Sequence, residues 1–320
     1  MKRKLLFTIS FLLVSASVFA QGDFRPTEQM FSRINANPSA VGNNENIQIF
    51  SATRLQWVEA GLGESPVSTV LNAHYYVDKI KSGFGLSFSY DELGISNQTI
   101  SAKIVYAYNI DLREDMLLSL GLSAGVINKS FDPNHHEWVD PSDPLNEQSS
   151  VTNFDLDFGL ELSYKYVLAG FSITHLPNIG KEFESLTAPS HINAYVRGNI
   201  PLPKDFSLIP AVSFVNVGAM NKAVVDDVTN NTYQIVEENI MDYGLTAMYQ
   251  GKYWFGIGYR GGVTENYSNN VAYLMAGFEW HWLRVGYCCD ISVDAIDYST
   301  STHEIMLSFS IPTKKDYVWP

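Results

Sequence analysis

Between Asn153 and Tyr164 the chain reads NFDLDFGLELSY. Phe154, Leu156, Phe158, Leu160 and Leu162 share one face of a strand; Asp155, Asp157, Gly159, Glu161 and Ser163 share the other, because successive strand side chains point in opposite directions. The same period of two recurs elsewhere. Tyr253, Phe255, Ile257 and Tyr259 oppose Trp254, Gly256, Gly258 and Arg260; Ile305, Leu307, Phe309 and Ile311 oppose Glu304, Met306, Ser308 and Ser310. Phe84, Leu86, Phe88 and Tyr90 oppose Gly85, Ser87, Ser89 and Asp91. A helical period is nearly absent after the first twenty residues. Alternation bounded by turn residues predicts fourteen strands, near 47–59, 66–77, 83–91, 98–109, 115–128, 152–163, 165–175, 190–200, 205–217, 240–249, 252–260, 270–279, 281–290 and 302–311.

An apolar strand face needs either a protein core or a lipid bilayer, and the connections decide between them. Strands of ~9–13 residues exceed the ~5–6 of soluble sheets and match tilted membrane strands. The gaps at 78–82, 110–114, around Lys165, at 201–204, 250–251 and around Trp280 are short. Those at 60–65, 92–97, 129–151, 176–189, 218–239, 261–269 and 291–301 are mostly longer. Short–long alternation belongs to a transmembrane barrel, whereas a Greek-key sandwich mixes connection lengths at both ends. The expectation is an all-β fold: a transmembrane antiparallel β-barrel of about 14 strands with short periplasmic turns and long extracellular loops. Its Phe/Leu face meets lipid and its Asp/Glu face lines the lumen. The even strand count returns both termini to the periplasmic side. Trp57, Tyr75, Tyr106, Tyr164, Trp280 and Trp282, near strand ends, suit interfacial aromatic girdles.

Charge and cysteine content narrow the class. Lys2, Arg3 and Lys4 precede an apolar run from Leu5 to Phe19, and Val18 and Ala20 fit a cleavage point, so residues 1–20 read as a secretory signal peptide. Without those three cations, 18 basic residues face 34 acidic ones, a net charge of −16. That balance excludes nucleic acid as a partner. The two cysteines, Cys288 and Cys289, are adjacent and point to opposite strand faces, so they read as small hydrophobes rather than a disulfide. Residues 21–46 are polar and aperiodic, with Pro26 and Pro38, and read as an N-terminal periplasmic or lumen arm. The barrel then covers 47–311, with a C-terminal tail at 312–320.

Several stretches resemble the PorP/SprF proteins of Bacteroidetes. They are QMFSRINANPSAVG (29–42), RLQW (54–57), YVLAGFSITHLPN (166–178), FGIGYR (255–260), LRVGYCCD (283–290) and the closing STHEIMLSFSI. The likeness runs in order along nearly the whole mature chain. It implies a cell outer-membrane barrel of the type IX secretion and gliding motility machinery, working in the lipid bilayer. The implied partner is a secreted surface protein or adhesin with a type IX C-terminal sorting domain, especially of the second class. Other type IX components, including periplasmic ring and peptidoglycan-binding lipoproteins, are implied as well. The resemblance transfers no catalytic residues.

Motifs with chemical potential fail on context. GLSAG, residues 121–125, matches the nucleophile elbow, but Ser123 sits mid-strand with no helix following. GIGYRG, residues 256–261, matches a dinucleotide fingerprint without a βαβ unit, so its glycines read as fillers of a crowded lumen face. His135, His136, Asp140 and Asp143 fit no zinc or EF-hand spacing. The expectation is therefore a non-enzyme, with no catalytic, cofactor-binding or metal residue assigned and no cofactor. Asp155, Asp157 and Glu161 are expected to pair with lumen cations such as Arg54, Lys103, Arg197, Arg260 and Arg284 rather than to line a cation path. Trp254, Tyr273 and Trp282 are expected in a mostly blocked lumen. Trp138, Asp140, Asp143, Phe183 and Glu184 on long loops are candidates for a docking surface. A porin or hydrophobic-solute channel is the alternative function, and a lipid hydrolase ranks last. A closed barrel should fractionate with the outer membrane and migrate faster in SDS gels unheated than boiled; recovery as a soluble periplasmic protein would instead indicate the sandwich.

Overall fold

A computed structural model describes residues 23–42, 46–58, 65–93, 97–132, 149–181, 186–221, 224–226, 231–233, 238–263, 270–293 and 301–312. Its strands are β1 (Asn46–Val58), β2 (Val67–Val77), β3 (Ser82–Leu93), β4 (Asn97–Arg113), β5 (Met116–Phe131), β6 (Ser149–Tyr164) and β7 (Val167–Thr174). They continue with β8 (His191–Gly198), β9 (Ile200–Leu202), β10 (Phe206–Val217), β11 (Val224–Asp226), β12 (Asn231–Tyr233), β13 (Glu238–Tyr249), β14 (Tyr253–Gly262), β15 (Val271–Trp280), β16 (Leu283–Ser292) and β17 (Ser301–Pro312). Every neighbouring pair is antiparallel, and β1 pairs with β17, from Asn46 opposite Pro312 to Val58 opposite Ser301. The result is a closed 14-strand barrel, with β9 prolonging β8 past Asn199 and β11–β12 forming a separate small hairpin. The predicted strands correspond to the barrel strands one for one. The hairpin within 218–239 was not foreseen from the sequence.

Closure pairs the first barrel strand with the last, which a spanning sheet requires because lipid cannot hydrogen-bond an open backbone edge. At six short connections the chain reverses through left-handed residues: Lys81, Asp115, Lys165, Lys204 with Asp205, Gln250 with Gly251, and His281. These tight reversals lie at one end of the barrel, hereafter the turn end. Asn46 and Pro312 lie there too, so the barrel begins and ends on one side. β4, β5 and β6 are the longest strands, at 17, 16 and 16 residues. They outrun the predicted lengths because a hydrogen-bonded ladder can continue into water after the apolar pattern ends.

The predicted faces hold. Leu86, Phe154, Phe255, Ile257, Ile305 and Leu307 are exposed on the outer wall, whereas Asp155, Asp157, Glu161, Trp254, Glu304 and Met306 are buried inside. Outward apolar side chains on a closed barrel are a lipid-facing surface. Tyr75, Tyr106, Tyr164, Trp280 and Trp282 are exposed toward the turn end, where Phe84 lies 5.7 Å from Tyr75 and 5.3 Å from Tyr106 between ring centroids. Trp282 meets the girdle expectation and corrects the lumen one. It stands outside, 6.4 Å from Phe309, because the β15–β16 reversal turns its side chain away from the lumen.

Ile257 lies midway along β14 facing outward, and Gly258 faces inward against the Tyr273 ring. I257R is expected to cost roughly 2–4 kcal/mol of barrel stability in lipid, the penalty for arginine near the bilayer midplane. G258R should fail differently, by collision with Tyr273. Equal tolerance of arginine at both positions, measured by urea unfolding in liposomes, would contradict this register.

Candidate functional site

The candidate site is the lumen, and residues 23–42 fill it. The segment is neither helix nor strand apart from a 3-10 turn at Pro38–Ala40. Buried backbone of that kind must find hydrogen-bond partners elsewhere, and here the inward faces of the strands supply them. Asp23 sits beside His175 and His191 at the loop-side ends of β7 and β8. Arg54 Nη2 donates to the Arg25 carbonyl at 3.1 Å and to Thr27 Oγ1 at 2.8 Å. Thr27 N donates to Glu304 Oε1 at 2.8 Å. Further along, Gln48 Nε2 donates to the Phe31 carbonyl at 3.0 Å, and Arg197 Nη1 to the Met30 carbonyl at 3.0 Å. Asn37 Nδ2 donates to the Leu160 carbonyl at 3.0 Å. Gly42 N donates to His74 Nδ1 at 3.3 Å, near the turn end. The segment thus descends the lumen from its loop-facing half to the mouth where β1 begins.

Two kinds of packing hold it. Phe24, Met30 and Phe31 join Phe50, Val70, Trp254, Tyr273, Met275 and Met306 in one apolar cluster inside the barrel. Phe31 and Trp254 lie 4.7 Å apart, and the guanidinium groups of Arg54 and Arg284 stand 4.9 and 5.0 Å over the rings of Phe24 and Phe31. Lumen glycines provide the second kind. A Cβ on Gly83, Gly121, Gly159 or Gly286 would collide with Val41, Ser39, Asn37 or Glu28. Glycine at those positions lets the segment's backbone and short side chains reach the wall.

Several charges pair across the lumen. Lys103 Nζ lies 2.7 Å from Asp155 and 2.8 Å from Asp157. Arg54 Nη2 lies 2.8 Å from Glu304 Oε2. Arg260 bridges Asp242 at 3.0 Å and Asp290 at 3.4 Å. Arg284 pairs with Glu279 on the neighbouring strand rather than with the three carboxylates of β6. Glu161 takes its cation from the arm: Arg33 Nε and Nη2 donate to its two oxygens at 3.0 and 3.2 Å, and Tyr195 Oη also donates to it. Arg197, expected among the carboxylate partners, donates to the Met30 carbonyl instead. The expected pairing therefore holds for Asp155 and Asp157, and Glu161 adds a partner that strand alternation does not expose.

Other sequence candidates resolve simply. Ser123 lies mid-strand on β5, donating to Asp157 with no elbow, and Gly256 and Gly258 back onto Met275 and Tyr273. Cys288 is buried and Cys289 half-buried, both free. His135, His136, Trp138, Asp140, Asp143, Phe183 and Glu184 lie outside the described residues, as do residues 1–20.

A family model for the type IX secretion system membrane protein PorP/SprF matches residues 18–309. The chain belongs to the PorP/SprF family. No curated protein is significantly similar to it in sequence. Solved outer-membrane barrels share its fold at low identity. The CymD monoaromatic hydrocarbon channel matches at TM-score 0.55 and 12% identity, over 93% of this chain and 96% of that one. The P. putida toluene transporter TodX matches at 0.53 and 8%, over 93% and 97%. The Ralstonia pickettii toluene transporter TbuX matches at 0.50 and 10%, over 93% and 97%. The family model thus marks a type IX secretion system membrane protein, and the structural likenesses show that it has the fold of outer-membrane barrels.

Arg33 and Glu161 are both buried, and removing one leaves the other's charge buried without its partner. R33M is expected to destabilise the barrel by roughly 3–5 kcal/mol, and R33M/E161L by clearly less, because the double change removes both charges. Tryptophan fluorescence during urea unfolding in liposomes reads both; equal losses would show that the pair is not coupled.

Proposed function

We propose that this protein is a plugged platform of the type IX secretion and gliding apparatus, which helps export or surface-anchor a secreted partner carrying a type IX C-terminal sorting domain. The family match over residues 18–309 carries the reading. The occupied lumen supports it. A barrel whose interior is packed with Phe24, Met30, Phe31 and Arg33 offers no wide diffusion path, so recognition falls to its exposed rims. Rigid walls that hold long connecting loops are suited to that task. On this reading the turn end, where Asn46 and Pro312 meet, faces the periplasm and the type IX lipoproteins; the loop end faces outward. The long loops, with Trp138, Asp140, Asp143, Phe183 and Glu184, form the surface a secreted domain meets.

The hydrophobic-channel alternative draws on the fold of CymD, TodX and TbuX. Identities of 8–12% carry the architecture only, and the polar lumen charges disfavour a hydrocarbon path. Gene deletion should remove one surface protein, or a small group, from the cell surface while small-solute permeability stays unchanged. Large steady conductance of the purified protein in planar bilayers, with an intact surface proteome after deletion, would establish the channel instead.

A further inference from the structure

The arm begins in a cluster with the composition and spacing of a metal centre. Asp23, His175 and His191 each bring a ligand atom within 4.8 Å of the other two. His175 Nε2 lies 2.9 Å and His191 Nδ1 3.8 Å from Asp23 Oδ2. Around a tetrahedral zinc ion with bonds of ~2.0–2.1 Å, ligand atoms stand ~3.3 Å apart, so these distances bracket the requirement. The two imidazoles meet edge to face, 5.1 Å between centroids.

The surroundings are those that orient a ligand. His175 Nδ1 lies 2.8 Å from Asp155 Oδ2, which leaves Nε2 aimed at Asp23. This is the carboxylate–histidine arrangement that fixes ring orientation and raises basicity at metal sites. The backbone holds His175 at φ 58°, and its N–H donates to Asp157 Oδ1 at 3.0 Å, so the turn after β7 swings the ring inward. His191 is fully buried, and its Nε2 has no hydrogen-bond partner. The other ring nitrogen, Nδ1, faces Asp23 at 3.8 Å, too far for a hydrogen bond and wide enough for an ion bonded to both atoms. Asp23 remains 34% exposed, which gives an ion a path of entry from solvent. A second grouping, Asp155, Asp157 and His175, is less suited, because Lys103 already places its ammonium between the two carboxylates.

We infer that Asp23, His175 and His191 bind a divalent transition-metal ion of the zinc type, which fastens the start of the arm to the barrel wall. Two imidazoles and one carboxylate suit zinc, nickel or copper rather than calcium or magnesium. Coordination needs His175 Nε2 and Asp23 free of protons, so protons compete with the ion for the site. His135 and His136, which belong to a different stretch of the sequence and are not among the proposed ligands, provide an internal control.

The test uses the full mature chain in detergent, stripped with chelator and titrated with Zn²⁺, then with Co²⁺ for spectroscopy. The expected result is about one tight ion per chain, with visible Co²⁺ bands of a four- or five-coordinate nitrogen and oxygen site. D23N and H191Q should each weaken binding at least about tenfold, and D155N, acting through His175, by roughly 10–100-fold. H135Q/H136Q should leave it unchanged. Heat-modifiable gel migration reports whether each variant is folded, and D23N, at the partly exposed end of the arm, disturbs the wall least. Zn²⁺ should also raise the temperature of the mobility shift in the wild-type protein but not in D23N. Failure of the wild-type protein to retain an ion, retention by both D23N and H191Q, or loss confined to H135Q/H136Q would each overturn the site. None of these outcomes depends on the secretion role.

Discussion

A closed barrel in a bilayer gives each strand two faces, and only the outer one has a solvent that suits it. The inward Asp155, Asp157, Glu161 and Glu304 are cut off from bulk water and must be neutralised within the lumen, or they would destabilise the barrel by several kcal/mol each. Most of this structure follows from how that is achieved. Lys103 serves Asp155 and Asp157, and Arg54 serves Glu304, all from the wall itself. Glu161 depends on Arg33, and Glu304 also accepts from the backbone of Thr27 and Glu28. The arm completes the electrostatics of the wall, and wall and arm are therefore one folding unit in physical terms.

The outer face was legible because a bilayer imposes one rule on every lipid-facing position. Phe255, Ile257, Leu307 and Phe309 obey it without exception, so period-two reading found the fourteen strands. The inner face was legible only as polar. Alternation says that Glu161 points inward, but its partner Arg33 lies 128 residues away on a segment without periodicity. Trp282 shows the limit of parity at a chain reversal, where a left-handed His281 breaks the alternation that places a side chain inside. One signal for the arm's route was present. Gly83, Gly121, Gly159 and Gly286 all sit on inward faces, and a run of wall positions without side chains implies something pressed against them. The cluster of Asp23 with His175 and His191 carried no such signal, since its members come from three separate segments.

The fold shared with CymD, TodX and TbuX shows how little the wall alone decides. What sets one such barrel apart from another resides in the lumen. Here the lumen presents backbone acceptors, amide side chains and paired charges: Asn72 meets Ser32, Asn193 meets the Ala36 carbonyl, and Asn37 meets Leu160. The interior surface is complementary to a peptide.

That complementarity bears on which cargo such a wall could ever accommodate. If the arm withdrew, Glu161 would lose Arg33, Glu304 would lose two backbone donors, and Arg197 and Gln48 would lose carbonyl acceptors. An apolar solute offers no hydrogen bond in exchange, so every one of those groups would remain unmatched at about 1–3 kcal/mol each, more for the charges. Water would relieve the penalty only by flooding the lumen and excluding the hydrocarbon. Another polypeptide carries the same backbone donors and acceptors as the arm, and with an arginine in place of Arg33 it could satisfy Glu161 as well. The chemistry of the wall therefore favours exchange of one peptide for another over passage of a hydrophobic molecule, and it does so through the same inward residues that hold the arm in place.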